Sequence, residues 1–194
     1  MDSIKWKKYL RIEEEDYSGA CEAHEDTRKL HLALIEQLPG GDMILDMGCG
    51  TGWSTEELSK KYSKAIGISI QHKEIEFAND KHLNEHTEYF IEDMHELHFA
   101  DKYFDAVYMR EALEHSISPF IALCEVNRVL KPGGIFLVNV PDQEWVDWHC
   151  HYYVPTPKQL KALLFKTGFR VDFEGFSTEK HFYCINQKIN GVKL

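Results

Sequence analysis

A glycine-rich turn near residue 50 constrains this chain more than any other part of its sequence. The apolar run at 43–45 ends in Asp46, a helical pattern begins just beyond residue 52, and three glycines stand at alternate positions between them: Gly48, Gly50 and Gly52. Glycine has no Cβ and adopts positive φ at little cost, so the backbone of such a turn can lie very close to a bound molecule. The turn predicts a site for a nucleotide-like cofactor.

Composition narrows the class of protein. A chain of 194 residues with 43% hydrophobic content is long enough for one domain with its own core. We expect residues 1–194 to form a single domain, with a helical cap over 1–40 and an α/β core over 41–194. The net charge of -10 disfavours nucleic acid as a partner. We expect a monomer or a homodimer.

Cysteine usage and hydropathy indicate the compartment. The five cysteines are widely spaced and form no C-x-x-C pair, which is typical of free thiols in a reducing environment. The longest apolar run, at 135–138, is far too short to cross a bilayer. These features predict a cytoplasmic protein without membrane contact.

Strand-like apolar runs alternate with helical patterns through most of the chain. Such runs, apolar on both faces and separated by helices, are typical of a parallel sheet covered on both sides. The predicted helices cover 6–38, 52–62, 71–84 and 120–130, and the predicted strands cover 44–47, 65–70, 88–91, 104–109 and 135–140. Residues 131–134, Lys-Pro-Gly-Gly, are predicted to turn the chain into the last of these strands.

The last forty residues follow a different pattern. Thr156, Pro157 and Gln159 form the signature of a capping box with proline at the first helical position. Two strand patterns follow, at 169–176 and 181–187, joined by a short polar turn that favours an antiparallel hairpin. We therefore predict an α/β fold: a doubly wound, Rossmann-like, mostly parallel sheet of about seven strands with an antiparallel C-terminal edge hairpin. Its ligand should lie at the carboxyl ends of the strands, near the switch in strand order.

The glycine spacing argues against a dinucleotide. The turn reads G-x-G-x-G rather than G-x-G-x-x-G, and Asp46 would repel a phosphate but could accept a hydrogen bond from an ammonium group. Residues 44–52 resemble the first motif of the class I S-adenosylmethionine-dependent methyltransferases of the small-molecule type. The resemblance covers about residues 38–188, and it implies S-adenosylmethionine as cofactor and S-adenosylhomocysteine as product.

Further segments carry the resemblance and imply the cofactor-binding residues. Residues 92–94 are similar to the adenine-binding turn of the family, where Asp93 would take the exocyclic amine and Met94 would lie against the ring. Residues 104–107 with 111–115 are similar to its fourth strand and following helix, and 129–134 resemble the loop before its fifth strand. The implied cofactor set is Asp46, Gly48, Cys49, Gly50, Gly52, Ser69, Ile70, Glu74, Asp93, Met94, Met109 and Arg110.

The end of the second strand departs from the usual family pattern. Members usually carry Asp or Glu there to hold both ribose hydroxyls, whereas this chain carries Ser69. The cyclopropane fatty acid synthase and tocopherol methyltransferase branches are similar, with Thr or Ser at this position and Gln one helical turn later. Glu74 occupies that later position here. We predict that Glu74 holds the ribose with help from Ser69; the alternative is a plain surface carboxylate.

The groups that could take a proton lie after strands four and five. Methyl transfer from a sulfonium is an in-line displacement, so positioning supplies much of the catalysis, and a base is needed only where the acceptor must lose a proton early. The candidates are Glu111, Glu114 and His115 after strand four, and His149 and His151 after strand five; of these we take Glu114, His115, His149 and His151 as the predicted catalytic residues. In the cyclopropane synthases a Glu-His pair similar to Glu114–His115 lies at the active site, although in other relatives this pair only braces the loop.

An aromatic segment after strand five, residues 142–153, favours an acceptor pocket. The alternative is that its aromatic rings fill a gap between loop and core. The predicted acceptor-binding residues are Tyr17, Glu111, Trp145, Trp148 and Tyr152. No metal is expected, because the adjacent His149, Cys150 and His151 lack a diagnostic ligand spacing. The remaining histidines that we considered are predicted at the surface: His24, His31, His72, His82, His86, His95 and His98.

The resemblance implies an enzyme that transfers the methyl group of S-adenosylmethionine to oxygen or nitrogen of a small or medium-sized acceptor. Two alternatives remain open. One is a non-catalytic S-adenosylmethionine-binding protein that acts through a partner. The other is a nicotinamide-dependent oxidoreductase, which Asp46 disfavours.

Overall fold

The computed structural model of the protein describes residues 25–147, 150–176 and 181–189. The helices in these residues are α1 (Glu25–Glu36), α2 (Trp53–Leu58), α3 (His72–Lys81), α4 (Pro119–Val129) and α5 (Pro157–Lys166). The strands are β1 (Gly41–Met47), β2 (Tyr62–Ser69), β3 (Thr87–Ile91), β4 (Phe104–Arg110), β5 (Leu130–Val140), β6 (Phe169–Phe176) and β7 (Phe182–Lys188). No helix among the described residues combines the length and the apolar character needed to span a membrane.

All seven strands join one sheet in the order β3-β2-β1-β4-β5-β7-β6. Strands β1 to β5 pair in parallel, and β7 pairs antiparallel with both β5 and β6. This arrangement confirms the predicted mostly parallel α/β sheet with an antiparallel C-terminal hairpin. The strand order reverses at β1, which lies between β2 and β4, so the carboxyl end of β1 lies at the switch point where open α/β sheets bind ligands.

The two faces of the sheet carry separate apolar cores. Consecutive residues of a strand point to opposite faces, so the fully buried Ile44 packs in one cluster and its neighbour Leu45 in the other. Leu34, Ile35 and Leu38, from α1 and the turn after it, cover the Ile44 face. Helices α4 and α5 cover the Leu45 face. Asp46 shares the parity of Ile44 and therefore points to the α1 side.

Several predicted boundaries are wrong by three or more residues: β1, β2 and β5 begin earlier than predicted, and α2 and α3 end earlier. Two of the errors come from pairing between distant residues. The helix after the glycine turn ends at Leu58 rather than at residue 62, because Tyr62 already pairs with Gly41 in the sheet. Strand β5 begins at Leu130, ahead of the predicted turn at 131–134, because Leu130 pairs with Phe104 before the register shifts.

The start of α5 agrees with the sequence. Thr156 Oγ1 accepts from the Gln159 amide at 3.3 Å, and the Gln159 side chain accepts from the Thr156 amide at 2.9 Å. The capping box is therefore formed, with Pro157 at the first helical position. Of the predicted N-terminal helix, residues 25–36 form α1; the earlier part lies outside the described residues.

Candidate cofactor and active site

The glycine turn is tied to the end of the neighbouring strand. The amides of Gly48 and Cys49 both donate to the Ile68 carbonyl, at 3.0 and 2.9 Å. Gly48 has φ +88°, and a Cβ built on it would overlap the Ala112 methyl group. Side chains therefore fill the space behind the turn, and only glycine fits at position 48.

Gly50 has the opposite surroundings. Its φ is +52°, and a Cβ built on it would meet nothing within 4 Å. A Cβ on Gly52, by contrast, would press against Ala78 and Tyr89. The open side of the turn is therefore at Gly50, where a ligand can approach the backbone.

Asp46, near the end of β1, precedes the glycine turn. Its side chain is buried, and Oδ2 accepts from Ser54 Oγ at 2.6 Å and from Thr55 Oγ1 at 2.7 Å. Burial raises the pKa of Asp46 to about 6, against the two hydroxyl bonds, which favour the ionised form. A buried carboxylate is costly without a counter-charge, so this site suits a ligand that brings an ammonium group.

The end of β2 and the first turn of α3 are linked through side chains. Ser69 Oγ donates to Glu74 Oε2 at 2.5 Å and accepts from the Gln71 amide at 3.1 Å. Ile70, between them, is half-buried. Burial raises the pKa of Glu74, while the Ser69 hydrogen bond works in the other direction. The structure thus brings together the two residues that the sequence assigns to the ribose.

Asp93 carries an oxygen without a partner. Oδ1 accepts from the His95 amide at 2.9 Å and contacts His95 Nδ1 at 2.7 Å, whereas the buried Oδ2 has no hydrogen-bond partner. Such an atom is costly unless a donor reaches it, and an exocyclic amine is such a donor. Met94, beside it, packs against the larger core cluster. Together with Gly50 and Asp46, this arrangement fits an adenosyl amino acid.

A buried polar cluster follows the end of β4. The Arg110 guanidinium contacts His31 Nε2 from α1 and lies 3.1 Å from Glu111 Oε1, which also contacts His181 Nδ1 at 2.5 Å. Burial and the nearby Arg110 charge lower the pKa of His31 to about 3, so this imidazole is neutral. Met109, which precedes Arg110 on β4, is fully buried. Glu111 has φ +46°, a conformation that costs energy in a residue with a Cβ.

The prediction of surface histidines is wrong at three positions, and His24 lies outside the described residues. His31 is 7% exposed, and the side chains of His95 and His82 are 7% and 12% exposed. His31 could have been recognised, because it shares the i, i+3, i+4, i+7 stripe with Leu34, Ile35 and Leu38. No local pattern marks His181, which sequence analysis omitted.

The loops after β4 and β5 meet through backbone and side chains. The Tyr152 amide donates to the Glu114 carbonyl at 2.8 Å, and the His115 and His151 rings lie 5.0 Å apart. Burial raises the pKa of Glu114 to about 8, and its Oε2 has no hydrogen-bond partner. Burial also lowers the pKa of His115. The structure therefore gathers three of the four predicted catalytic residues.

The structure describes only some of the remaining predicted residues. Tyr17, Trp148 and His149 lie outside the described residues. Trp145 ends the short 3-10 helix Gln143–Trp145, and Tyr152, in the loop that follows, is 49% exposed. Their contact with an acceptor stays a prediction.

The sheet is doubly wound, and the glycine turn and buried carboxylates lie at its switch point. These features define a Rossmann-like protein that binds an adenosyl cofactor. Residues 45–138 match a protein family described as a methyltransferase domain. An O-methyltransferase of Aspergillus nomiae is 33% identical over 163 residues, which are 75% of this chain and 72% of that protein. This chain therefore belongs to the class I S-adenosylmethionine-dependent methyltransferases, and S-adenosylmethionine is its cofactor.

Two other similar proteins mark the breadth of the family. A sterol 24-C-methyltransferase of Eremothecium gossypii is 32% identical over 67% of this chain, but the chain spans only 35% of that protein. The N-methyltransferase NodS of Bradyrhizobium japonicum, solved with S-adenosylhomocysteine, shares the fold with a TM-score of 0.74 at 17% identity, over 91% of this chain and 94% of that one. These proteins differ in the atom that they methylate, so family membership leaves the acceptor open.

Proposed function

We propose that this enzyme transfers the methyl group of S-adenosylmethionine to an oxygen or nitrogen of a small or medium-sized acceptor. In the bound complex, Asp46 accepts from the ammonium group, Ser69 and Glu74 hold the ribose, and Asp93 holds the adenine amine. Gly50 gives the cofactor room to approach the backbone, while the backbone near Met109 and Arg110 closes the methionine side.

The observation that carries the choice of acceptor atom is the cluster on the loops after β4 and β5. Glu114 Oε1 lies 4.0 Å from His115 Nε2, and His151 lies against the His115 ring. Acceptors that react through O–H or N–H must release a proton, and these side chains are suited to take it. The relative from Aspergillus nomiae, whose name describes it as an O-methyltransferase, supports the same choice.

The test is a labelled-methyl screen. The enzyme is incubated with S-adenosylmethionine labelled at the methyl carbon and with pooled hydroxylated or amine metabolites, and products are located by mass spectrometry and NMR. Label on oxygen or nitrogen supports the proposal, and label on carbon overturns the choice of atom. Donor binding without turnover across all pools would favour the non-catalytic alternative; under our proposal, His151→Ala loses turnover and keeps donor affinity.

Donor affinity is expected to fall in mild acid because Asp46 must be ionised to accept the ammonium group. With a pKa of about 6 in the free enzyme, the dissociation constant should rise about tenfold between roughly pH 7.5 and pH 5. Calorimetric measurement of the dissociation constant across this pH range checks the prediction. Asp46→Asn should bind weakly at every pH, and an equally steep profile in this variant would refute the assignment.

The raised pKa of Asp46 also makes the stability of the fold depend on pH, in a direction opposite to that of donor affinity. The pKa of Asp46 is higher in the folded protein than in an unfolded chain, so the ionised carboxylate reduces stability above pH 6. Its protonation relieves that cost as the pH falls through about 6. The loss of affinity in mild acid is therefore not expected to come from unfolding at Asp46.

Glu74 is expected to act on the ribose alone. Glu74→Ala should weaken binding of S-adenosylhomocysteine by roughly tenfold or more, since a hydrogen bond to a charged group contributes about 1.5–3 kcal/mol. The exposed Glu76 of the same helix provides the matched control Glu76→Ala, which should leave binding unchanged. An analogue without the ribose hydroxyls should bind the wild type and Glu74→Ala alike. If the variant weakens both ligands equally, Glu74 is only structural.

A further inference from the structure

Three side chains with metal-binding atoms meet where the two acceptor-side loops touch. His115 ends the short 3-10 helix Leu113–His115 after β4, while Cys150 and His151 lie in the loop after β5. One potential ligand atom of each lies within 4.8 Å of the other two. Across residues 25–147, 150–176 and 181–189, no other three His, Cys, Asp or Glu side chains meet in this way.

The donor set indicates the type of ion. Two imidazoles and a thiolate suit zinc and similar transition metals, whereas magnesium and calcium prefer oxygen ligands. Nitrogen and sulfur ligands lie about 2.1 and 2.3 Å from zinc, so two of them in a tetrahedral site are about 3.4–3.6 Å apart. Ligand atoms within 4.8 Å of one another must therefore move together by at most about 1.4 Å, which side-chain rotation can supply. Cys150 carries a free, half-buried thiol.

The surroundings of His115 support coordination. Its Nδ1 lies 3.1 Å from the Cys150 carbonyl oxygen. Metal-bound histidines usually donate their other ring N–H to a carbonyl or carboxylate, which fixes the tautomer and the ring orientation. Donation from Nδ1 to this carbonyl leaves the Nε2 lone pair for an ion.

The backbone holds the two loops together independently of any ion. The amides of Tyr152 and Tyr153 both donate to the Glu114 carbonyl, at 2.8 and 3.3 Å. In the first loop the bonded residue, Glu114, immediately precedes His115. In the second loop the bonded residues, Tyr152 and Tyr153, immediately follow His151. The ligands are therefore held close before an ion arrives, which lowers the conformational cost of binding it.

We propose that His115, Cys150 and His151 form a three-ligand site for a divalent transition metal of the zinc type. Three protein ligands leave one tetrahedral position open, as in catalytic rather than structural zinc sites. The sequence predicts no metal, since the histidine that completes the set lies 35 residues away from Cys150. With the ion bound, His115 and His151 are ligands, and Glu114 is the group of the cluster left to take a proton. An acceptor hydroxyl at the open position is a consequence that rests on the proposed function, but metal binding itself does not.

The experiment uses the untagged full chain, stripped with a chelator and titrated with Co²⁺ as a spectroscopic probe. We expect one equivalent to bind, with tetrahedral d–d absorption and a sulfur-to-cobalt charge-transfer band, and Zn²⁺ to displace it. Cys150→Ser should lose the charge-transfer band, and His115→Asn or His151→Asn should weaken Co²⁺ binding by roughly tenfold or more. The matched control is Cys124→Ser on α4, which should keep both spectral features.

Affinity for S-adenosylmethionine, measured by calorimetry, verifies that each variant is folded. The proposal is overturned if the folded wild type binds no Co²⁺, or if Cys150→Ser keeps the charge-transfer band. Loss of that band in Cys124→Ser but not in Cys150→Ser would place the metal elsewhere. A normal Co²⁺ spectrum in a protein that transfers no methyl group would count against the proposed function and leave the metal site standing.

Discussion

Replacing Gly50 by leucine is expected to abolish S-adenosylmethionine binding while the protein stays folded. The side chain would project into the open side of the turn, where a Cβ meets no protein atom within 4 Å. It would occupy the space of the cofactor without displacing any part of the fold. We expect at least a roughly 100-fold loss of affinity, equivalent to about 2.7 kcal/mol of binding free energy.

Gly133 provides a matched control for this variant. It also has positive φ, +76°, and a Cβ there would approach only the Gln187 side chain, at 4.0 Å. Gly133→Leu therefore incurs the same left-handed backbone penalty, about 1–2 kcal/mol. Gly133 lies inside β5 near the amino end of that strand, whereas the predicted cofactor site is at the carboxyl ends of the strands. Calorimetry should find normal donor affinity in Gly133→Leu. If Gly50→Leu also binds normally, the cofactor does not lie against this turn.

The architecture was predictable because it depends on local periodicity. Apolar runs on both faces predicted the parallel strands, and Thr156 with Gln159 predicted the start of α5. The early start of β5 was not predictable, because Leu130 joins the sheet only through its pairing with the distant Phe104. A Lys-Pro-Gly-Gly sequence predicts a turn from its local composition, whether or not a neighbouring strand pairs with it.

The candidate site also has features that the sequence predicted and features that it did not. The motif around Asp46 was recognisable because a turn that holds a ligand against consecutive backbone groups, as we propose here, requires a fixed local spacing. The cluster of His31, Arg110 and His181 joins α1, the end of β4 and the chain just before β7, and no spacing in the sequence encodes contacts across three elements. The approach of His115 to Cys150 is equally non-local, since it depends on backbone bonds between two loops.

Gly48→Ala is expected to destabilise the fold rather than the cofactor complex alone. Position 48 combines φ +88° with a Cβ position that overlaps the buried Ala112 methyl group. Left-handed backbone costs about 1–2 kcal/mol in a residue with a Cβ, and overpacking a buried contact costs about 1–3 kcal/mol more. Urea unfolding should therefore report a loss of about 2–5 kcal/mol with an unchanged m-value.

The second substitution Ala112→Gly separates the two causes. Removing the Ala112 methyl group relieves the overlap but not the backbone strain, so the double variant should be more stable than the sum of the single effects predicts. The coupling free energy from the double-mutant cycle should be about 1–3 kcal/mol. Additive effects would mean that overlap with the Ala112 methyl group is not what makes a Cβ unfavourable at position 48. The double variant also keeps the prediction measurable if Gly48→Ala alone fails to fold, because its stability can then be compared directly with that of Ala112→Gly.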